Sequence, residues 1–459
     1  MIVLRIQITY KDIKNSLNLS SLKKHDIMKR ISLFLLIAIL GFASCSKRPT
    51  PVGPTPTEAQ LHWQRLQTYA FIHFGLNTFT DMEWGYGDTP AETFNPTDLD
   101  CEQWVLTLKA CGMQGVILTA KHHDGFCLWP TETTDYSIKN SPYKDGQGDV
   151  VGELCEACRK HGLKFGLYLS PWDRHQASYG TEDYVKLYHQ QIQELADHYG
   201  PFFEFWFDGA NGGDGWYGGA NETRSIDANT YYDFEKARDI IWERYPETMI
   251  FGGTVPTIRW IGNERGYADA TLWCTQDGAW LPAEVDVSIR PGWFYHDNEA
   301  PKTLKELLDI YYNSVGHNTS LLLNFPVNKE GRIPSADSLR AVEWHQTLQN
   351  TFARNLLDGL KPTINNKGTN REEWIYTFNT PTVVSHVVLE EDVLFGQHVE
   401  RFSLSYYRNG KWLPLETDEN MTTIGFKRII RFKPATMEKL RIRILKTQAP
   451  VVFYRLSAY

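Results

Sequence analysis

Short apolar runs alternate with longer amphipathic stretches along most of this chain, the pattern of repeated strand and helix units. The strand-like runs fall at residues 68–73, 115–119, 164–169, 203–207, 249–252, 272–274 and 320–324. Between them, helical periodicity predicts helices over 99–110, 151–161, 184–199, 232–245 and 304–315. This alternation over 59–354 predicts an α/β domain, a (β/α)8-like barrel made irregular by its weakly marked later strands. After Arg354 the helical period disappears. Short alternating runs at 383–389, 402–407, 428–432 and 440–445, with an Asn409-Gly410 turn, predict a C-terminal antiparallel β-sandwich over 355–459.

The amino end follows another pattern. Lys29-Arg30 precede an apolar run from 31 to 42, then Phe42-Ala43-Ser44-Cys45. This predicts a bacterial lipoprotein signal over 1–44, with Cys45 lipidated and the run too short to span a bilayer. Met28, directly before the basic pair, is a second candidate start. Residues 45–58, rich in Pro and Thr, read as a tether. The expected location is the cell envelope, reached through the lipid anchor alone, and the periplasmic side is favoured because Ser46-Lys47-Arg48 carries no acidic residue. A formal net charge of −8 over 459 residues argues against a nucleic-acid partner. Cys101, Cys111, Cys127, Cys155, Cys158 and Cys274 have no ladder-like spacing, and Cys155 with Cys158 falls on a helical pattern, so these read as core thiols.

Candidate chemistry sits at the ends of the apolar runs. The stretch Phe203-Glu204-Phe205-Trp206-Phe207-Asp208-Gly209 drives an aromatic strand into a carboxylate, and barrel enzymes keep their chemistry at the carboxyl ends of strands. His73 ends the first run, with Glu83-Trp84 beyond it; Lys121-His122-His123-Asp124 ends the second; Tyr168 and Ser170 to Asp173 end the third. Imidazoles and carboxylates hydrogen-bond hydroxyls while indoles cover the apolar face of a sugar ring, so a carbohydrate site is expected. A metal site built on His122, His123 and Asp124 is disfavoured because adjacent residues seldom aim at one ion, and no cofactor is called for. Any one of these histidines alone would read as a satisfied core residue; three at two strand ends, beside Glu83 and Asp208, weaken that reading. Glycoside hydrolysis usually needs two carboxyls. With Asp208 as one, Glu264 in a glycine-flanked loop and Glu284, with Asp286 nearby, are both open as the second.

Four segments together resemble glycoside hydrolase family 29, the retaining α-L-fucosidases. They are His73-Phe74-Gly75, Lys121-His122-His123-Asp124-Gly125-Phe126, Trp206-Phe207-Asp208-Gly209, and Ser288-Ile289-Arg290-Pro291-Gly292-Trp293-Phe294-Tyr295. The resemblance implies Asp208 as nucleophile, His73, His122, His123 and Tyr168 on fucose hydroxyls, and Glu83 and Trp84 near the sugar. Arg259-Trp260-Ile261-Gly262-Asn263-Glu264 is similar to the acid/base loop of the subfamily selective for α1,3 and α1,4 linkages, which favours Glu264 over the runner-up Glu284. Trp206 and Trp293 are candidates for the apolar wall that the fucose methyl group needs. The implied partner is a fucosylated oligosaccharide or glycoconjugate. Two other readings use the same scaffold: a fucose-binding protein without catalysis, and a hydrolase of a related sugar such as α-L-galactose. The tail resembles a discoidin-like sandwich, expected to brace the barrel.

Overall fold

The computed structural model describes residues 50–273 and 278–459. The leader and lipidation site expected at 1–45, the start of the tether, and Cys274 lie outside the described residues.

Helix α1 (Glu58–Leu66) opens with a capping box, in which the Thr57 side chain accepts from Gln60 N and the Gln60 side chain from Thr57 N. Strand β1 (Thr68–Ile72) and helix α2 (Leu76–Thr80) follow. Helix α3 (Cys101–Ala110) is capped by Asp100 and leads to β2 (Gly115–Lys121), buried at every position. Helix α4 (Val150–His161) starts on an Asp149 cap, stops at Gly162 in the left-handed region, and buries Cys155 and Cys158 as expected of core thiols. Strand β3 (Lys164–Leu169), helix α5 (Glu182–His198) and strand β4 (Glu204–Trp206) come next. A small hairpin, β5 (Gly213–Gly215) with β6 (Glu222–Arg224), then precedes helix α6 (Phe234–Arg244) and strand β7 (Met249–Phe251). Strands β8 (Arg259–Trp260) and β9 (Ala283–Ser288), helix α7 (Leu304–Ser314), strand β10 (Thr319–Asn324) and helix α8 (Ser335–Thr351) finish this half.

The eight longer-range partners form one parallel sheet in the order β7-β4-β3-β2-β1-β10-β9-β8, and a parallel bridge from Phe251 to Ile258 draws its two edges together. The result is the expected (β/α)8-like barrel. Its lumen holds Trp63, Tyr69, Phe71, Tyr168, Trp206 and Leu322, while a second apolar layer packs the helices against the outside. Helix α1 closes the amino-terminal end, where Trp63 Nε1 donates to Glu204 Oε2 at the start of β4 (2.7 Å).

Two elements differ from expectation. The run at 272–274 is not a strand where it is described: residues 270–272 form a single 3-10 turn. The strands there are β8 and β9, which the sequence pattern presents as loops. In β9, acidic and apolar residues alternate as in a half-exposed strand, yet all six positions are buried because Glu284 finds hydrogen-bond donors inside the barrel. Helices α1 and α8 were also not expected.

The carboxyl-terminal part is antiparallel: β11 (Thr363–Asn365), β12 (Glu373–Glu391), β13 (Val399–Arg408), β14 (Lys411–Pro414), β15 (Arg428–Thr447) and β16 (Phe453–Ala458). Asn409 and Gly410 both take positive φ, 50° and 79°, as the tight β13–β14 hairpin requires. Strands β12 and β15 run together through a register shift between Thr377 and Thr382, so one half pairs with β11 and β13 and the other with β16. Between the halves lies an apolar core of Val384, Val387, Phe402, Leu404, Ile430 and Ile442. The sandwich is fastened to the barrel by Arg428, which donates to Gly316 O (2.9 Å) and lies over the Trp273 ring, and by Asn318 Oδ1, which accepts from Phe426 N (2.7 Å).

Candidate active site

The carboxyl ends of the barrel strands surround a cavity of about 490 Å³, within the usual range for small-molecule sites. Asp208, two residues past β4, lines it half-buried. Its Oδ2 accepts from the Tyr168 hydroxyl (3.0 Å) and its Oδ1 from Ala210 N (2.6 Å), which holds the carboxylate in one orientation. Burial, and then the Asp208 charge, push the Tyr168 phenol well above its ordinary range, so it stays a donor.

The three histidines line the same cavity, and each has one ring nitrogen committed to the protein. Asn324 Nδ2 donates to Ser288 Oγ (2.9 Å) and Trp293 O (2.8 Å), which turns its oxygen towards His73 Nδ1 at 2.8 Å. His73 must therefore carry its proton on Nδ1 and present Nε2 as an acceptor. Ser170 Oγ donates to Trp172 O (2.8 Å), so it accepts from His123 Nδ1 (2.8 Å), and His123 Nε2 is likewise an acceptor. Asn77 Oδ1 accepts from Gly85 N (3.1 Å); its amide group donates to His122 Nδ1 (3.4 Å), which makes His122 Nε2–H a donor. Burial lowers the pKa of all three, that of His73 to about 3, so the neutral tautomers hold at neutral pH. Together they offer two acceptors and one donor, a set suited to sugar hydroxyls.

The apolar wall is aromatic. Trp206 stacks on Phe251 (4.0 Å, 5°), and Phe71 meets Trp206, Tyr168 and Trp293 edge-on. Trp84 stands at the rim, edge-on to His123 (5.1 Å). Glu264 is exposed at the mouth and accepts from Trp293 Nε1 (3.3 Å).

Glu284 and Glu83 do not line the cavity. Glu284 lies in the barrel interior, fully buried, accepting from Trp206 Nε1 (2.9 Å) and from the Tyr69 hydroxyl. Burial pushes its pKa up, and that of its neighbour Glu204 with it, as two carboxyls sharing a dry site must. Glu83, expected near the sugar, accepts instead from Trp293 N (2.9 Å), Phe294 N (3.2 Å) and His296 Nε2 (2.7 Å). It fastens the loop that carries Trp293, because three donors converge on it there.

A family model described as alpha-L-fucosidase matches residues 53–348. The chain belongs to the α-L-fucosidase family. Alpha-L-fucosidase 1 of Arabidopsis thaliana is 39% identical to it, with 87% of each chain covered. Among solved structures, a glycoside hydrolase family 29 member from an unknown rumen bacterium is 45% identical, with a TM-score of 0.86, over 89% of this chain and 78% of its own. A Ruminococcus gnavus family 29 fucosidase in complex with fucose is 31% identical, with a TM-score of 0.81, over 91% and 97%.

Among the lining residues of this fucosidase-family cavity that the sequence does not mark as site residues are the aromatic Phe71, Phe251 and Trp260 and the acid Asp286. Asp286 stands beside Glu284 among the acids that the sequence offers as proton donor; the alternation of β9, once known to be a strand, puts both on its lumenal side. Burial pushes its carboxyl up to about 8, opposed by a hydrogen bond from Trp260 Nε1 (2.6 Å) and reinforced by the Glu284 and Glu264 charges. A larger hollow of about 870 Å³ between barrel and sandwich is a different kind of place. Several of its charged groups are paired with one another, His317 with Glu419 (3.3 Å), Arg431 with Glu419 (3.7 Å) and Lys433 with Glu416 (3.1 Å). Among the described residues, no three His, Cys, Asp or Glu side chains are grouped to hold a metal.

Proposed function

We propose that this enzyme is a retaining exo-α-L-fucosidase that releases terminal fucose, with preference for α1,3 and α1,4 linkages, by double displacement. The observation that carries the reading is that Asp208 and Glu264 line one cavity together with three neutral imidazoles and an aromatic wall. Asp208 attacks the anomeric carbon while Glu264 protonates the departing oxygen; water, deprotonated by Glu264, then releases fucose with its configuration retained. His73 and His123 accept from fucose hydroxyls and His122 donates to one. Trp206 and Trp293 face the methyl group, and Trp84 covers the rim. Glu264 is preferred to Glu284 because Glu284 has its oxygens engaged by Trp206 and Tyr69 inside the barrel. The linkage preference rests on the likeness of 259–264 to the loop of the α1,3/1,4-selective subfamily.

Replacing the two acids separately tests the assignment. Asp208→Ala should lose kcat on every fucoside. Glu264→Ala should lose about 10² to 10⁴ on oligosaccharides and much less on fucosides whose leaving group departs unprotonated. Azide should yield β-fucosyl azide, by a single inversion, from the Asp208 variant and α-fucosyl azide, with configuration retained, from the Glu264 variant. Acid/base behaviour in Glu284→Ala instead would refute the choice of Glu264, and comparing rates on α1,2, α1,3, α1,4 and α1,6 fucosides tests the linkage preference.

A further inference from the structure

Only two tryptophans among the described residues are exposed, Trp84 at 54% and Trp260 at 48%, and both line this cavity. Trp260 is nonetheless held firmly. Its strand β8 pairs with β9 through Arg259 N to Pro282 O (2.9 Å) and Ile261 N to Glu284 O (3.2 Å), and its indole N–H is tied to Asp286 Oδ1 at 2.6 Å. Asp286 itself is only 3% exposed. Burying a carboxyl is costly, and an indole half in water is a poor reason to bury one. The pairing makes sense if its effect is to fix the ring edge inward and leave the face open to a ligand. Glu264 follows four residues later at the same mouth. An acid that protonates the departing oxygen must lie beside the leaving group, so the leaving group extends along the 260–264 loop.

Resting on the fucosidase reading above, we propose that Trp260 is the stacking platform for the sugar released from fucose, and that Asp286 is the positioning residue that holds its indole in place. The face of the indole takes the apolar face of a pyranose leaving group, and Asp286 acts through the ring.

The test compares α-L-fucosyl fluoride, whose leaving group touches no such platform, with the fucosyl disaccharide that the unmodified enzyme hydrolyses best. Trp260→Phe and Asp286→Ala should each cut kcat/KM on the disaccharide roughly 10-fold more than on the fluoride, mainly through KM. Asp286→Asn keeps an oxygen to accept from the indole N–H and should recover most of the loss. Equal losses on both substrates, an intact disaccharide rate in Trp260→Phe, or an Asn variant as damaged as the Ala variant would overturn the proposal. Because Trp260 is half exposed, its variant decides the matter even if Asp286→Ala does not fold. An unmodified enzyme inert towards both substrates would overturn the fucosidase reading as well, whereas an active enzyme with equal losses overturns this inference alone.

Discussion

Each imidazole in the cavity has one nitrogen directed by an amide or hydroxyl whose own bonds leave it no choice. The direction matters because a neutral histidine is a donor at one nitrogen and an acceptor at the other, and a hydroxyl presented with the wrong one loses its bond. Asn324 is the clearest case, serving His73, Ser288 and Trp293 at once. Asn324→Leu leaves buried groups unpaired, at a cost of about 1–3 kcal/mol, and should lower kcat/KM on a fucoside roughly 5- to 150-fold. Steady-state kinetics beside a thermal melt check this; an unchanged kcat/KM in a folded variant would show that His73 needs no such guide. The histidines were legible because they stand at the ends of apolar runs. The role of Asn324 was not, because nothing local links position 324 to position 73.

At the scale of elements, the end of β7 packs directly against the strand that delivers Asp208. Gly252 has φ of 77°, and a Cβ added there would come within 1.9 Å of the Phe207 carbonyl oxygen. Gly252→Ala therefore forces backbone strain of about 1–3 kcal/mol or moves Phe207, the residue before Asp208. The expected outcome is a lower melting temperature together with a fall in kcat larger than any change in KM. A variant with parental kcat would show that the β4 end tolerates the shift. Strands with continuous apolar runs, such as β2 and β10, could be read directly. Strands β8 and β9 could not: one has two residues, and the other carries acids whose donors, Trp206, Tyr69 and Trp260, lie far away along the chain.

For the whole molecule, buried acids set the response to pH. Burial raises Asp124 to about 7, Asp286 to about 8 and Glu391 to about 7. Each keeps a proton in the folded state that the unfolded chain has already released above about pH 4, so stability falls as pH rises through that window. Buried His73 and His386, lowered to about 3 and about 4, act in the opposite sense but only below about pH 6.5, where the unfolded chain would be protonated. Between pH 6.5 and 8.5 the acids act in the same direction as His296, whose pKa burial lowers but Glu83 and Asp81 raise by more, and the melting temperature should drop by a few degrees; a flat or rising profile would contradict these raised values. The sandwich belongs to the same scale. Truncation after Arg354 would uncover Gly316, Asn318 and the Tyr312 ring, which stacks on His386 (5.5 Å) and lies under Arg431. The shortened chain should be insoluble or melt far lower; a soluble, equally stable barrel would remove the bracing role.

By itself the sequence determined the alternation of strands and helices, the change to an antiparallel tail, and the placing of His73, His122, His123, Tyr168 and Asp208 at strand ends. Those follow from periodicity and from where an apolar run stops, both local properties of the chain. Only the tertiary structure decided which of two glutamates stands at the cavity mouth, that Glu83 serves a loop, and that Asp286 and Trp260 share the site. Burial and hydrogen-bond partners there come from residues up to 215 positions apart, such as Tyr69 and Glu284, and no local pattern encodes such a meeting.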